Sequence, residues 1–430
     1  MGLVSNIIFG VLLAVGIGFF VKNINKLRRN IKLGKAVDIS GSTSERWKNM
    51  AMIALGQSKM VTRPIAGILH VIVYIGFVVI NIEVLEIVID GLFGTHRIFS
   101  SFGPVYGILI GTFEIFALLV FVAVVVFWLR RNVIRLKRFM SSEMKGWPKQ
   151  DGNLILYFEI VLMALFIIMN ATDVQFQNMN SGNVISQFVA PWFEGLPLHA
   201  IERTAWWMHI IGILIFLNYL YYSKHLHIIL AFPNTYYGRL TPNGQLDNLE
   251  SVTNEVKLMM DPDADPYAVS DDADAEPEKF GASDVFDLNR IQLLNAYTCT
   301  ECGRCTSECP ANQTGKKLSP RKIMMDTRDR LQEVGKNIDA NKGVFTPDGK
   351  QLLGDYITNE ELWACTSCNA CVEVCPISIN PLSIILDMRR YLVMEQSAAP
   401  TELNTMMTNI ENNGAPWPYN QMDRLNWNKE

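Results

Sequence analysis

All eight cysteines of the chain fall in two short runs, Cys299 to Pro310 (CTECGRCTSECP) and Cys365 to Pro376 (CTSCNACVEVCP), each reading C-x2-C-x2-C-x3-C-P. No other feature restricts the fold as tightly. Three thiolates at three-residue steps wrap one cubane iron–sulfur cluster, and the fourth, ahead of a proline, points away to ligate another. The expected sets are Cys299, Cys302, Cys305 and Cys375 around one [4Fe–4S] cluster, and Cys365, Cys368, Cys371 and Cys309 around the second. Structural zinc sites and disulfides are the alternatives. Zinc modules usually separate two CxxC-type pairs by a longer loop. Disulfides need an oxidising compartment, and cysteines this close in sequence pair poorly.

Around these runs the chain divides in two. The hydrophobic fraction is 49%, yet the apolar runs fall almost wholly in the first half and polar sequence fills the rest. Five segments reach the ~20 apolar residues that cross a bilayer: Leu3–Val21, Ile65–Ile89, Val105–Leu129, Leu154–Ala171 and Ala205–Leu230. The first lacks a basic n-region and an A-x-A cleavage site, so it reads as a retained anchor. Basic residues crowd two connections, from Lys22 to Arg63 and from Arg130 to Lys149, whereas the other two carry only Arg97 and Arg203. The positive-inside rule then puts the N-terminus outside and everything after Leu230 in the cytoplasm of a bacterial-type cell membrane. That compartment is reducing, as thiolate ligands require.

The expected organisation is a transmembrane domain over 1–232, an acidic linker over 233–286, a cluster-bearing domain over 287–398 and a polar tail over 399–430. The linker reading rests on DPDADPYAVSDDADAEPEKFGASD, whose Asp, Pro and Ala content cannot build a core; a docking strip for a basic partner is its alternative. Between the runs, Pro320–Val334 shows helical periodicity, and so does Leu382–Met394 beyond them. The fold class is mostly α: a five-helix transmembrane bundle followed by an all-helical dicluster ferredoxin domain.

Four of the six histidines, His70, His209, His225 and His227, fall inside the expected spans, where an ionisable residue is a functional candidate. On one continuous helix His209 and His227, eighteen residues apart, share a face about 27 Å from each other, and His225 is turned about 160° from His209. His70 and His227 come at similar depth on antiparallel helices. Neutral imidazoles facing each other across a bundle make a bis-histidine haem site; the plainer alternative is hydrogen bonding within the bundle.

At these residues a resemblance becomes specific. Arg63-Pro64, Gly67 and His70, with Trp206-Trp207-Met208-His209 and Tyr222-Ser223-Lys224-His225-Leu226-His227, resemble the cytochrome b subunits of respiratory nitrate reductase (its gamma subunit) and of membrane-bound heterodisulfide reductase. The runs CTECGRCTSECPANQTGKKLSP and WACTSCNACVEVCPISINP resemble the dicluster subunit of heterodisulfide reductase and the cluster arms of glycolate oxidase-like proteins. The resemblance implies haem b on His70 and His227. In two-haem members a second histidine follows the first by ten residues; here that position is Ile80, so His209 lacks its usual partner for a second haem. Heterodisulfide reductase-like catalysis uses adjacent cysteine pairs, which this chain does not have, so substrate chemistry is expected in another polypeptide.

The resemblance also implies exchange with quinone. Two groupings suit a proton-coupled ring: His209 with Glu114 toward the outer face, or Lys224, His225 and Glu159 toward the inner. The expected function is that of a membrane-anchored electron-transfer subunit of a quinone-linked oxidoreductase. Its expected partner is a cysteine-rich heterodisulfide reductase-type subunit or an electron-transfer flavoprotein. A non-catalytic redox sensor and an anchored ferredoxin without haem are the rivals. No Gly-rich dinucleotide loop, P-loop or nucleophile elbow stands out, and no basic aromatic-laced stripe points to nucleic acid.

Overall fold

The computed structural model of the chain describes residues 2–37, 39, 41–263 and 279–429. Among them helix is the only extended regular structure, and two isolated bridges are the only β pairing. Five helices are long and apolar enough to cross a membrane: α1 (Leu3–Ile31), α2 (Pro64–Phe93), α3 (Pro104–Asn132), α4 (Trp147–Thr172) and α5 (Leu198–Tyr219). Proline opens α2, α3 and α4 within the first turn, where its missing N–H costs nothing. In the packing α4 lies against α5, α2 against α3 and α3 against α4, while α1 rests on α2 and α5. Only 6% of the most apolar window of α1 is buried, so this helix offers most of its surface to lipid. It approaches α2 at Gly91, where a Cβ would stand 2.6 Å from the Phe9 ring.

The fifth span departs from expectation. It does not run through to Leu230: after Tyr219 the chain makes one short 3-10 turn, becomes extended at Ser223 (φ −112°, ψ 146°), makes a second 3-10 turn over Lys224–Leu226, and restarts as α6 (His227–Tyr236). The cause lies on another helix. Asp151 on α4 accepts hydrogen bonds from the Tyr219 and Ser223 hydroxyls and, at 3.1 Å, from the Lys224 amide. This buried carboxylate satisfies the Lys224 amide, which a continuous helix would have bonded internally, and pins the two hydroxyls that flank the break. His209 and His227 are therefore not two points on one helical face.

The cluster-bearing half is built on α7 (Arg290–Thr298), α8 (Pro320–Ala340) and α9 (Pro381–Arg390), with Leu288, Leu293, Ile323, Leu331, Ile384 and Ile385 fully buried. It is joined to the membrane helices at several points. Lys35 pairs with the backbone of Leu288 and Arg290 at 2.9 and 3.1 Å, Asn30 donates to the Tyr297 hydroxyl at 3.0 Å, and Lys26 meets Asp339 at 2.7 Å. On α6, Asn234 donates to the Ile377 carbonyl at 2.8 Å.

Of the stretch read as a linker, residues 264–278 lie outside the described residues. Its earlier part includes a helix, Glu250–Met260, with no buried side chain. Its far end is not solvated: Ala282 and Val285 are fully buried, and Asp284 forms a two-pronged ion pair with Arg330, itself fully buried. A guanidinium removed from water needs carboxylates around it, and Asp284 and Asp348 supply them. The polar tail contains a helix, Thr401–Asn413, again with no buried residue.

Candidate functional site

The two cysteine runs fold as paired loops with the same backbone. Glu301 and Gly303 in the first, and Ser367 and Asn369 in the second, take left-handed conformations (φ 54°, 72°, 54° and 59°) at equivalent positions. Such alternation turns successive amides inward and makes a nest for an anionic group. Gly303 is required there, because a Cβ would lie 2.5 Å from the Arg321 guanidinium. Amides already face sulfur at two places: Ser367 N donates to Cys365 Sγ at 3.4 Å, and Ile379 N to Cys375 Sγ at 3.3 Å.

Cys299, Cys302, Cys305 and Cys375 line one cavity, with Cys371 in its wall. The fourth cysteine of the second run has thus crossed to the first three of the other. Burial, together with Cys302 and Cys375 nearby, pushes the Cys299 thiol up to about 12. Burial and the neighbours Cys365, Cys309 and Cys368 push Cys371 up to about 12. Burial and Cys302 push Cys375 up to about 11. Buried thiols crowded in this way ionise only against compensating positive charge, which a metal centre supplies. Arg304 and the fully buried Arg321 line the same cavity, and Arg321 Nε has no protein hydrogen-bond partner. The donor set and its cationic lining fit an iron–sulfur cluster. Cys368, by contrast, is exposed, so the second set lies nearer the surface.

The first loop is held against the membrane helices on two sides. Arg304 donates to the Lys59 and Met60 carbonyls at 3.2 and 3.1 Å, and Arg63 reaches Ser307 and Glu308 at 3.0 and 2.6 Å. Those contacts grip the segment just before Pro64, two turns below His70. On the other side Glu301, between Cys299 and Cys302, is ion-paired with Lys224 and, at 2.7 Å, with Arg328. Lys224 leads directly into His225 and His227.

The His70 and His227 rings stand 6.4 Å apart between centroids. The Nδ1 of His227 lies 3.1 Å from the Lys224 carbonyl, the outer bond that orients a ligating imidazole and frees its Nε2. His70 Nδ1 is buried with no protein partner. His225 does not face elsewhere: freed by the break at Ser223, its ring packs 5.5 Å from that of His227 and its Nε2 lies 3.9 Å from Glu159. Of the two quinone groupings, the inner one has His225 beside Glu159 but Lys224 engaged elsewhere, and in the outer one Glu114 is engaged away from His209. Glu114 is engaged by Asn170 and by the Ile185 and Ser186 amides at 3.0, 2.7 and 3.0 Å. Lys224 is held by Glu301, by Asp151 at 3.7 Å and by the Pro148 carbonyl at 2.7 Å. His209 and Glu159 instead line one cavity together.

Asp151, Glu301, Arg304 and Arg321 escaped the sequence reading. Glu301 and Arg304 had a signal, being charged residues set between closely spaced cysteines. Asp151 and Arg321 had none, since their partners are remote in the chain.

Residues 298–379 match the 4Fe-4S dicluster domain family. The chain is similar to the probable iron-sulfur-binding oxidoreductase FadF of Bacillus subtilis (strain 168), 29% identical over 463 residues that cover 100% of this chain and 61% of that one. It is 25% identical over 412 residues to the EtfAB:quinone oxidoreductase of Syntrophomonas wolfei, covering 87% and 53%. It is 32% identical over 173 residues to a probable membrane-anchored ferredoxin of Chromohalobacter salexigens, covering 36% and 25%. Heterodisulfide reductase subunits also match about a third of the chain, in line with the expected resemblance. The chain thus spans 61% and 53% of the length of the first two relatives. No solved structure matches it.

Proposed function

We propose that this chain is a membrane-anchored electron-transfer subunit of a quinone-linked oxidoreductase. Cys299, Cys302, Cys305 and Cys375 hold one [4Fe–4S] cluster, Cys365, Cys368, Cys371 and Cys309 a second, and His70 and His227 a haem b. When bound, these groups supply one-electron carriage between a cytoplasmic partner and the quinone pool. The membrane half is read as a cytochrome b-like domain of the nitrate reductase gamma type, with the N-terminus outside and the cysteine runs in the cytoplasm.

One observation carries the reading. The loop of the first cysteine run is clasped both to the start of α2, which bears His70, and to the segment bearing His227. An arrangement that fixes a thiolate cage against two facing imidazoles suits electron transfer between them. The 6.4 Å ring separation leaves room for a metal bonded to one nitrogen of each ring at about 2 Å per bond. The exposure of Cys368 supports the second cluster as the contact point for the partner. The similarity to an EtfAB:quinone oxidoreductase supports a flavoprotein donor and a quinone acceptor; a cysteine-rich heterodisulfide reductase-type subunit is the other partner the relatives suggest.

A pyridine haemochrome assay beside total iron and acid-labile sulfide tests this. One b haem and about eight non-haem irons per chain, with the haem reduced by added quinol, are expected. A full complement of cluster iron with no haem leaves an anchored ferredoxin and removes the transmembrane relay.

A further inference from the structure

A second cavity lies within the bundle among α2, α3, α4 and α5. Most of its wall is apolar, including Ile80, Val120 and Phe216; its polar lining is Asn81, Glu159 and His209. His209 is 2% exposed and its Nδ1 has no protein hydrogen-bond partner, an arrangement that costs free energy unless a ligand satisfies it. Glu159 is 9% exposed, and its nearest ionisable neighbour is His225 at 3.9 Å. At the rim Phe77 is 42% exposed and Asn81 is exposed on the lipid-facing side of α2. The approach is therefore from the bilayer, and a lipid-soluble ligand is the kind that can reach it. Ile80, where a second haem ligand would stand by resemblance, gives the cavity an apolar wall opposite the unpartnered imidazole.

We infer that this cavity binds the ring of an isoprenoid quinone, with His209 Nδ1 at one ring oxygen and Glu159 at the other. The inference rests on the quinone-linked reading above and names its site. A flat aromatic dione matches an apolar chamber with two polar groups, and its tail leaves past Phe77 into lipid. Reduction of the dione to the quinol takes two electrons and two protons, one proton on each oxygen. The two electrons come singly from the cytoplasmic partner, which is oxidised in turn; clusters held by the cysteine runs would supply the one-electron carriage. Glu159 stands in the cavity wall as the group that hands a proton to the ring oxygen it meets.

The test is equilibrium dialysis of menadione, a soluble naphthoquinone, against the full-length protein in detergent, with iron, sulfide and haem counted in each variant. One menadione per chain is expected, with affinity about tenfold weaker in His209→Phe and in Glu159→Leu at unchanged iron content. Undiminished affinity in both variants, no binding to the parent protein, or a second haem that disappears in His209→Phe would each overturn the site. His70→Ala separates this from the relay. It lies outside the cavity, so it removes the haem signal while menadione binding persists, and either reading can fail without the other.

Discussion

Glu301 offers the sharpest test of how the cysteine-bearing half is fastened to the membrane helices. Its side chain is 2% exposed, with one oxygen on Lys224 and the other on Arg328. Glu301→Gln keeps the shape and the left-handed backbone but removes the charge. A hydrogen bond to a charged group contributes about 1.5–3 kcal/mol and a neutral one about 1, so weakening two of them costs about 1–4 kcal/mol. Two cations are also left facing a neutral amide in a buried site, which moves the expectation to about 3 kcal/mol. Asp151 and Asp329, at 3.7 and 3.0 Å from the two cations, keep it from going higher. For a domain of this size about 3 kcal/mol lowers the unfolding midpoint by roughly 6–12 °C. The assay follows visible cluster absorbance during heating at one fixed scan rate, because loss of the clusters is irreversible. A double-mutant cycle with Lys224→Met isolates the pair, with an expected coupling of about 1–3 kcal/mol. A midpoint within about 2 °C of the parent, with both clusters retained, would refute the claim that this ion pair holds the loop in place.

His227→Ala should abolish the haem spectrum, whereas His225→Ala, which removes only a ring packed beside it, should leave a b-type spectrum. A normal spectrum in His227→Ala would sink the ligand assignment. Gly303→Ala places a methyl group 2.5 Å from Arg321 in a left-handed backbone; total non-haem iron should fall from about eight to about four per chain. Iron unchanged at about eight would show that the loop accommodates the change. Asp151→Asn weakens the cap on the helix break and should cost about 1–3 kcal/mol, with a broadened haem signal because the His227 segment loses its fixed approach. An unaltered melting curve and spectrum would mean that the break persists without it.

What the sequence could disclose depended on how far apart the cooperating residues lie. The cysteine spacing and the apolar runs are local patterns, so the meeting of Cys375 with Cys299, Cys302 and Cys305 and the five long helices were legible. Even the facing of His70 and His227 was, since antiparallel helices of known length fix relative depth. The break at Ser223 was not, because its cause is the Asp151 carboxylate on α4, and no Gly or Pro at that position announces it. The error in His225 followed directly: a phase counted along a continuous helix has no meaning across an extended residue. Glu114 misled in the opposite way. A carboxylate inside an apolar span suggests chemistry, but here the Ile185 and Ser186 amides consume its acceptor capacity. Glu83 and Glu86 on α2 are buried too, at 2% and 3% exposed, and Glu86 accepts from the Phe99 amide at 2.9 Å. Charged residues within apolar helices declare that partners exist; only the fold says which.

The crossing of Cys375 into the company of Cys299, Cys302 and Cys305 has a consequence for biogenesis. Neither run can complete a four-thiol cage from its own residues, and the 55-residue excursion between them must fold before either cage closes. During synthesis the first run emerges with three partners and waits for its fourth. On the proposed ligand sets, loading of either centre would wait for the second run to be made. Loss of Cys375 would thus open the cage built on the other run, whereas a lesion among the first three cysteines of a run strikes its own cage.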